Sequence, residues 1–449
     1  MPTSWSSPNR ANERTAAAIS LIALLGMAST ARAVPQFAAE AASSCIRCHG
    51  DPGEWPNPEL KERKCSLSCG ACHVNPTGGG MKSEGGLYYG RDQLAARGAR
   101  PTNDFTKPTG VPPPGHPDRF AGMNTFPLLQ VGADFRAMAY YTEEGDSTSI
   151  FPMQTEVSVA VSPYNPKVLN KGRVTLLAAV AAEGSTRLTY GNIVSDDQFD
   201  DWTDRIYLKE AWALYHDLPY QAYLKAGKFL PPFGLRLDDH TAFIRQEQSF
   251  DHERQVTGVE IGLNPNYFYG HLAAFANTPS GKAPIVDDSG GGVALMAGTR
   301  HLLWQAGGQM MYEARDDSDD LWVGANWGLN LFEVDYGMKG LQLGPFTYLG
   351  EIDLRRRKYA LGGIDDTSGL AAFHEVNWHP RRWVRVLGRY DWMDPNLEIR
   401  DDHRHRYTVG GVVYPLPFLE VIAQWRWNTE PDAIHADDND GLLQVHVWH

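Results

Sequence analysis

The sequence predicts an all-β chain: a transmembrane antiparallel outer-membrane β-barrel of about 16 strands over residues 127–449, preceded by a small N-terminal segment. Three observations carry this expectation. Apolar and polar side chains alternate along many short runs, and the connections between these runs alternate between short and long. No apolar run after the first thirty residues is long enough for a membrane-spanning helix. The length alone suggests two or three domains, but a large barrel forms a single unit.

The composition excludes two broad classes of protein. Hydrophobic residues make up 42% of the chain and aromatic residues 11%, which is too rich for a disordered chain. The 41 basic and 54 acidic residues give a net charge of −13, so the chain lacks the basic face that neutralises phosphates. No nucleic-acid partner is expected.

Residues 1–33 are predicted to be a secretory signal peptide. Arg10 and Arg14 precede a short apolar core, and Ala31 and Ala33 form an A-x-A cleavage site. A buried amphipathic helix is the alternative interpretation. Export would deliver the chain to the compartment in which c-type haem is attached.

The next segment, 34–100, contains all five cysteines and is predicted to be a dihaem c-type cytochrome segment. Two C-x-x-C-H motifs occur there, at 45–49 and 69–73. In this motif two thiols form thioethers to the haem vinyl groups and the histidine ligates the iron. Zinc bound by the two cysteine pairs, or disulfides in an exported chain, are the alternatives, but neither requires a histidine after each pair. The predicted cofactors are therefore two covalently attached haem c groups, bound by Cys45, Cys48, Cys69 and Cys72, with His49 and His73 as axial iron ligands.

Several residues near the motifs have less specific assignments. Candidate distal ligands are His116, Met81 and Met123, and Cys65 is either a free thiol or a spare attachment sulfur. The glycines at 78–80 are expected to let the backbone pass close to a porphyrin face. Residues 101–126 form a proline-rich linker that leads into the barrel.

The barrel is predicted from alternation of period two, as in the runs 129–139, 384–392 and 421–427. A soluble antiparallel sheet shows the same alternation, but the connections favour the barrel. Short connections, several of them containing proline, alternate with long acidic ones, and all nine Asp-Asp pairs are predicted to fall in the long set. This asymmetry is typical of a barrel in the outer membrane of a Gram-negative bacterium, with short turns on the periplasmic side and lipid around it. Trp448 is expected to belong to an interfacial aromatic belt.

The long loops also contain candidate cation-binding residues, Asp401, Asp402, His403 and His405. Together they offer oxygen and nitrogen ligands suited to iron, and the acidic loops would concentrate an extracellular cation such as Fe(II) at the mouth of the barrel. The alternative is that the loops solvate the barrel and bind the divalent cations that bridge lipopolysaccharide.

The haem segment is too small to form an independent core around two porphyrins, and a barrel of about sixteen strands has a lumen wide enough for a plug. The segment is therefore expected inside the lumen or at its periplasmic rim. A second motif at this depth would extend the path of an electron across the apolar band.

The run C-H-V-N-P-T-G-G-G at 72–80, followed by a porin-like barrel, resembles the fused outer-membrane cytochrome–porins of iron-oxidising bacteria. The local resemblance covers residues 69–90 and applies to Cys69, Cys72 and His73. It implies oxidation of extracellular Fe(II), with electrons passing inward to a periplasmic c-type cytochrome. The motif at 45–49 and Cys65 depart from the family pattern.

The sequence thus predicts an outer-membrane electron conduit between an extracellular donor or acceptor and periplasmic cytochromes, and the resemblance implies that its reaction is Fe(II) oxidation. A solute porin with a haem-bearing plug and a barrel with a structural zinc segment are the alternatives. No catalytic triad, acid–base pair of carboxylates or nucleotide motif occurs in the barrel strands.

Overall fold

The computed structural model describes part of the N-terminal region and most of the predicted barrel. The described residues are 69–83, 86–87, 89–97, 128–143, 145–164, 173–183, 186–189, 192–195, 205–237, 239, 241–245, 254–265, 267–276, 290–300, 304–330, 346–360, 365–381, 383–429 and 439–449. The predicted features that lie outside them are the signal peptide 1–33, the linker 101–126, Cys45, Cys48, His49, Cys65, His116 and Met123. Among the described residues, no helix is long and apolar enough to cross a membrane.

Eighteen strands and three short helical turns make up the described structure. The turns are Cys69–Ala71, Tyr89–Leu94 and Pro219–Gln221. The strands are β1 (Leu129–Thr142), β2 (Ser147–Tyr164), β3 (Arg173–Glu183), β4 (Thr186–Thr189), β5 (Asn192–Ser195), β6 (Ile206–His216), β7 (Tyr223–Phe229), β8 (Val256–Leu263), β9 (Phe268–Ala276), β10 (Gly290–Arg300), β11 (Trp304–Arg315), β12 (Ser318–Asn330), β13 (Phe346–Tyr359), β14 (Thr367–Arg381), β15 (Val384–Asp394), β16 (Arg404–Leu416), β17 (Leu419–Thr429) and β18 (Asp440–Trp448).

Sixteen of these strands close into one antiparallel barrel, which confirms the predicted fold class. Each strand pairs with its neighbour in sequence, and β1 closes the barrel by pairing with β18, with Phe135 opposite Val447. Strands β4 and β5 form a separate hairpin within the connection between β3 and β6, a feature that the sequence did not predict. Closure pairs every barrel strand on both sides, so no edge of the sheet is left open.

The two faces of the barrel have opposite chemistry. Along β8 the side chains of Val259 and Ile261 are about half exposed on the outside, whereas Glu260 between them is fully buried on the lumen side. The same alternation in β2 places Val157 outside and Glu156 and Ser158 inside. An apolar outer face and a polar lumen are the pattern of a barrel that spans lipid.

The lipid-facing assignment predicts a large effect for a charge on the outer face. Val259 is the fourth of eight residues in β8, so Val259→Arg is expected to destabilise the folded barrel by about 2–4 kcal/mol in lipid vesicles. Urea unfolding followed by tryptophan fluorescence measures this change. Leu397→Arg, in the exposed connection between β15 and β16, is the control and should stay within about 0.5 kcal/mol of the unchanged protein. Equal stability of the two variants would contradict the outer-face assignment.

The connections define two ends of the barrel. At the end that we call the short-turn end, β14–β15 and β16–β17 are joined by two residues each, and β8–β9 by four. At the opposite, long-loop end, the connection between β7 and β8 covers residues 230–255. The predicted alternation between short and long connections is therefore present, with three exceptions: the tight β11–β12 turn and the four-residue β1–β2 connection at the long-loop end, and the connection over residues 331–345 at the short-turn end.

Two expectations about individual residues were wrong. Asp319 and Asp320 do not lie in a long loop, because β12 already begins at Ser318; Asp320 is fully buried in the lumen, where Arg355 and Arg357 pair with it at 3.0 and 2.9 Å. Trp448 faces the lumen with 8% of its surface exposed, and it does not belong to an outer aromatic belt. Charge pairing across strands compensates the buried aspartate, and the lumen filling described below buries the tryptophan.

Candidate functional site

The second C-x-x-C-H motif forms a compact turn. Cys69–Ala71 is a single 3₁₀ turn, and the backbone N–H groups of Cys72 and His73 both donate to the Cys69 carbonyl, at 3.1 and 2.9 Å. The chain then doubles back, because the N–H of Val74 donates to the Met81 carbonyl at 3.0 Å and His73 forms a β-bridge with Lys82. The turn holds both attachment cysteines and the adjacent histidine on a short, internally bonded frame.

The glycines of this hairpin were expected to let the backbone pass close to a porphyrin face. The structure gives a second reason for glycine at these positions. Gly78, Gly79 and Gly80 all have positive φ angles, of 85°, 75° and 60°, which favour glycine strongly. A Cβ on Gly78 would lie 3.4 Å from the Cβ of Cys69, so this glycine lets the hairpin tip close onto the motif. Beside Gly79 and Gly80 a Cβ would meet no atom within 4 Å. Open space next to the cysteine turn fits a flat porphyrin.

The hairpin tip contacts the lumen wall formed by β7, β8 and β10. Asn75 is buried, and its side-chain oxygen accepts a hydrogen bond from the Lys225 Nζ at 3.3 Å. The Asn264 amide, in the β8–β9 turn, donates to the Pro76 carbonyl at 2.8 Å, and Arg236 donates to the Thr77 Oγ1 at 3.4 Å. These contacts place the motif inside the lumen near the short-turn end.

A buried polar network lies beneath this contact. Lys225 and Glu260 are both fully buried and form an ion pair at 2.9 Å. The Tyr223 hydroxyl lies 2.5 Å from the Glu260 carboxylate and 2.7 Å from the His271 Nδ1. Because the groups satisfy one another, the network holds the wall rigid where the hairpin binds.

The rest of the N-terminal part reaches the opposite wall. The turn Tyr89–Leu94 brings Gly90 against the rings of Phe418 and Trp448, and the Ala96 N–H donates to the Tyr414 carbonyl at 2.9 Å. The described residues between 69 and 97, which we call the lumen segment, therefore contact the barrel at β7 and the β8–β9 turn on one side and at β16–β18 on the other. The expectation that this segment enters the lumen is supported for the described residues.

Met81, one of the candidate distal ligands, packs against the barrel. It is 8% exposed and belongs to an apolar cluster that includes Trp212, Phe229 and Phe233. A Cβ on Gly132 of β1 would lie 3.1 Å from the Met81 Cγ, so the thioether side chain contacts the wall. Its role as an iron ligand remains a prediction, as does that of His116 and Met123.

A second element fills the lumen from the long-loop end. The described residues of the β7–β8 connection between 230 and 245, which we call the lumen loop, carry Phe243 and Ile244 into an apolar cluster with Leu349 and Phe373. Arg245 pairs with Glu351 at 2.8 Å. The sequence predicted only an acidic external loop here; its apolar residues were the available signal that the loop is buried.

Asp239 anchors this loop to the wall. Its carboxylate accepts hydrogen bonds from Arg389 at 2.5 Å and Arg426 at 3.1 Å, and Thr241 donates to it at 2.6 Å. Burial alone would raise the pKa of the Asp239 carboxyl, but Arg426 and Arg389 hold this pKa well below its ordinary value of 3.8. The anchor is therefore ionised at neutral pH.

The lowered pKa fixes the pH range in which the anchor operates. A carboxyl with a lowered pKa contributes its full stabilisation above the ordinary value of about 3.9 and loses it as the pH falls through the lowered value. We expect the lumen to remain closed from about pH 7 to pH 4 and to open only in stronger acid. Conductance of the protein in planar bilayers, titrated downward, measures this. A conductance rise already near pH 6 would contradict the assignment.

The predicted external cation residues are only partly brought together. Asp401 and His403 are exposed at the long-loop end, and Asp402 lies within hydrogen-bonding distance of Asp394. His405 instead bonds to the Tyr390 hydroxyl at 2.8 Å on the outer face. Among the described residues, no group of three or more His, Cys, Asp or Glu side chains is arranged to hold a metal ion. Cation attraction by these loops stays a prediction.

Comparisons with known proteins bear on the fold. No protein-family model and no curated protein sequence matches this chain. The outer membrane channel DcaP of Acinetobacter baumannii is similar in structure, with 11% identity, a TM-score of 0.51 and coverage of 72% of this chain and 97% of that chain.

Two further solved structures give the same result. An anion-selective porin from Comamonas acidovorans has 11% identity and a TM-score of 0.51, covering 72% of this chain and 98% of its own. Salmonella typhi OmpF, in complex with daunomycin, has 7% identity and a TM-score of 0.50, covering 72% and 97%. Identity this low shows the fold alone. The chain has the fold of the outer-membrane porins, a closed antiparallel barrel of sixteen strands.

Proposed function

We propose that the protein is an electron conduit of a Gram-negative outer membrane, which passes electrons from extracellular Fe(II) through covalently bound haem c to a periplasmic c-type cytochrome. The observation that carries the proposal is the position of the Cys69–His73 turn. This turn lies inside a membrane-type barrel, near the short-turn end, with its hairpin tip bonded to Lys225, Arg236 and Asn264. A redox group bound there would sit within the apolar layer that electrons must cross.

The residues of the chain have distinct roles in this function. Cys69 and Cys72 would hold the porphyrin edge and His73 would ligate the iron, as would Cys45, Cys48 and His49 for the second group. When bound, haem c supplies a one-electron centre. The lumen wall orients the turn, while the lumen loop and lumen segment restrict solute passage. Each Fe(II) ion would give up one electron and leave as Fe(III).

The fold of outer-membrane porins also supports a second candidate, a solute porin whose haem-bearing segment acts as a plug. DcaP is described as a channel and the Comamonas protein as an anion-selective porin. Against this function stand the two elements that enter the lumen from opposite ends. Solute conductance in planar bilayers separates the candidates, because a conduit is expected to conduct few ions.

Visible spectroscopy of the purified full chain tests the proposal. Covalent haem should remain with the denatured protein, and Fe(II) added outside proteoliposomes should produce the reduced α-band when an oxidised c-type cytochrome is enclosed as acceptor. Vesicles without the protein are the control. Absence of covalent haem, or a haem that no external donor reduces, would rule out the conduit. Bound zinc in its place would support the structural-zinc alternative.

A further inference from the structure

One cation beside the Cys69 turn has no carboxylate partner. Arg300, the last residue of β10, is 5% exposed and lies beside the Cys69 hairpin, because the Asn264 side chain that accepts its hydrogen bond donates in turn to the Pro76 carbonyl of that hairpin. Its guanidinium donates to the Asn264 side-chain oxygen and to the Pro265 carbonyl, and it lies 5.0 Å over the Tyr269 ring. All of these partners are neutral. Among the described residues, no carboxylate pairs with Arg300.

The neighbouring charges do not cancel this one. Lys225 and Glu260 neutralise each other as a pair. Arg236 donates to Thr77 and to the carbonyls of Leu230 and Pro231, and the charges of Glu210 and Glu260 offset its own. Arg300 therefore adds a fixed positive charge to the wall beside the motif.

A buried and uncompensated cation is costly, so its retention needs an explanation. Clamping the β8–β9 turn is one, since Arg300 bonds to Asn264 and Pro265 there. A neutral hydrogen-bonding side chain would serve that purpose with a smaller desolvation cost. The position beside the Cys69 hairpin indicates an electrostatic purpose instead.

Resting on the proposed function, we infer that Arg300 tunes the haem at the Cys69–His73 motif by raising its reduction potential. A fixed positive charge in a poorly solvated site stabilises the ferrous state, which carries one positive charge fewer than the ferric state. A raised potential lets the motif accept electrons from a weak donor such as Fe(II). The raised potential therefore favours inward electron flow, from the external donor to the periplasmic acceptor. Arg300 acts on the haem through its charge and does not contact the electron donor.

Spectroelectrochemical titration of the purified full-length holoprotein tests this. In Arg300→Gln, the midpoint potential of one of the two haems should fall. The ferric state should be favoured about tenfold more, which corresponds to a fall of about 59 mV. The midpoint potential of the other haem should not move. Arg300→Lys keeps the charge without the fork of donors and should stay within about twofold of the unchanged protein.

A further variant separates charge from structure. Arg357→Gln removes an arginine charge between β12 and β13 and leaves Asp320 paired with Arg355 of the neighbouring strand, so it is the matched arginine control and neither midpoint potential should move. Equal titrations for Arg300→Gln and the unchanged protein, or equal shifts for Arg300→Gln and Arg300→Lys, would overturn the inference while leaving the conduit intact. A chain without covalent haem would overturn both.

Discussion

Replacing Cys69 and Cys72 together by serine is expected to remove one covalent haem from each chain and to abolish inward electron transfer. Both sulfurs lie on one 3₁₀ turn, and serine cannot form the thioethers that hold the porphyrin. The turn also belongs to the hairpin whose tip contacts the lumen wall. The pyridine haemochrome spectrum of the denatured protein should fall to about half, with the attachment sites at 45 and 48 still loaded.

The control for this prediction is Cys65→Ser, the same substitution at the cysteine outside both motifs, and it should retain both haems. Circular dichroism of each variant checks that the barrel is folded, because the lumen segment adds little to a spectrum dominated by strands. Unchanged haem content in the double serine variant would show that the motif does not attach haem. Loss of zinc or of a disulfide instead would select the corresponding alternative.

The barrel could be predicted because its chemistry is local. Alternation of period two assigns each side chain to a face, as for Val259 and Glu260, and the spacing between runs gives the number of strands. Asp320 was misplaced because sequence alone does not show the register in which Arg355 and Arg357 of the next strand pair with it. A buried aspartate and an exposed one look the same until their partners are known.

The candidate site also has features that the sequence shows and features that only the fold shows. The C-x-x-C-H spacing is a covalent requirement and is visible in the sequence, as are the glycines that close the hairpin onto Cys69. The wall that receives the hairpin is not visible, because Lys225 lies 150 residues after Asn75 and polar residues occur at most lumen-facing positions. The buried pair of Lys225 and Glu260 becomes recognisable only when the register of β7 against β8 places the two residues opposite each other.

The lumen loop had one signal that was not used. Phe233, Phe243 and Ile244 lie in a long connection that was expected to be acidic and solvated, and exposed loops seldom contain so many large apolar residues. All three are buried in the structure. The loop is therefore part of the lumen filling.

Asp239→Asn is expected to release the lumen loop and raise ion conductance. The asparagine still accepts a hydrogen bond from Thr241, but it no longer offers a charge to Arg389 and Arg426, which remain buried without it. Arg389 keeps Glu375 and Arg426 keeps Asp440 as a neighbouring carboxylate, so the cost lies below the about 3–5 kcal/mol of a buried charge that loses its sole partner. Even half of that cost, about 2 kcal/mol, would raise the open population about thirtyfold. Single-channel recordings in planar bilayers measure the open fraction.

The matched control is Asp366→Asn, at the same end of the barrel. Asp366 pairs with Arg356 at 3.8 Å, and both side chains are about half exposed, so its charge contributes little and conductance should not change. The charges of this ion pair cannot simply be exchanged as a test, because Asp239 pairs with two arginines at once. Asp239→Glu keeps a carboxylate on a side chain that is one methylene longer. This variant should retain part of the closed population, because the charge is present with altered geometry. If Asp239→Asn and Asp366→Asn conduct equally little, the apolar cluster around Phe243 closes the lumen without the anchor. In that case the ion pairs only orient a loop that hydrophobic burial already holds in place.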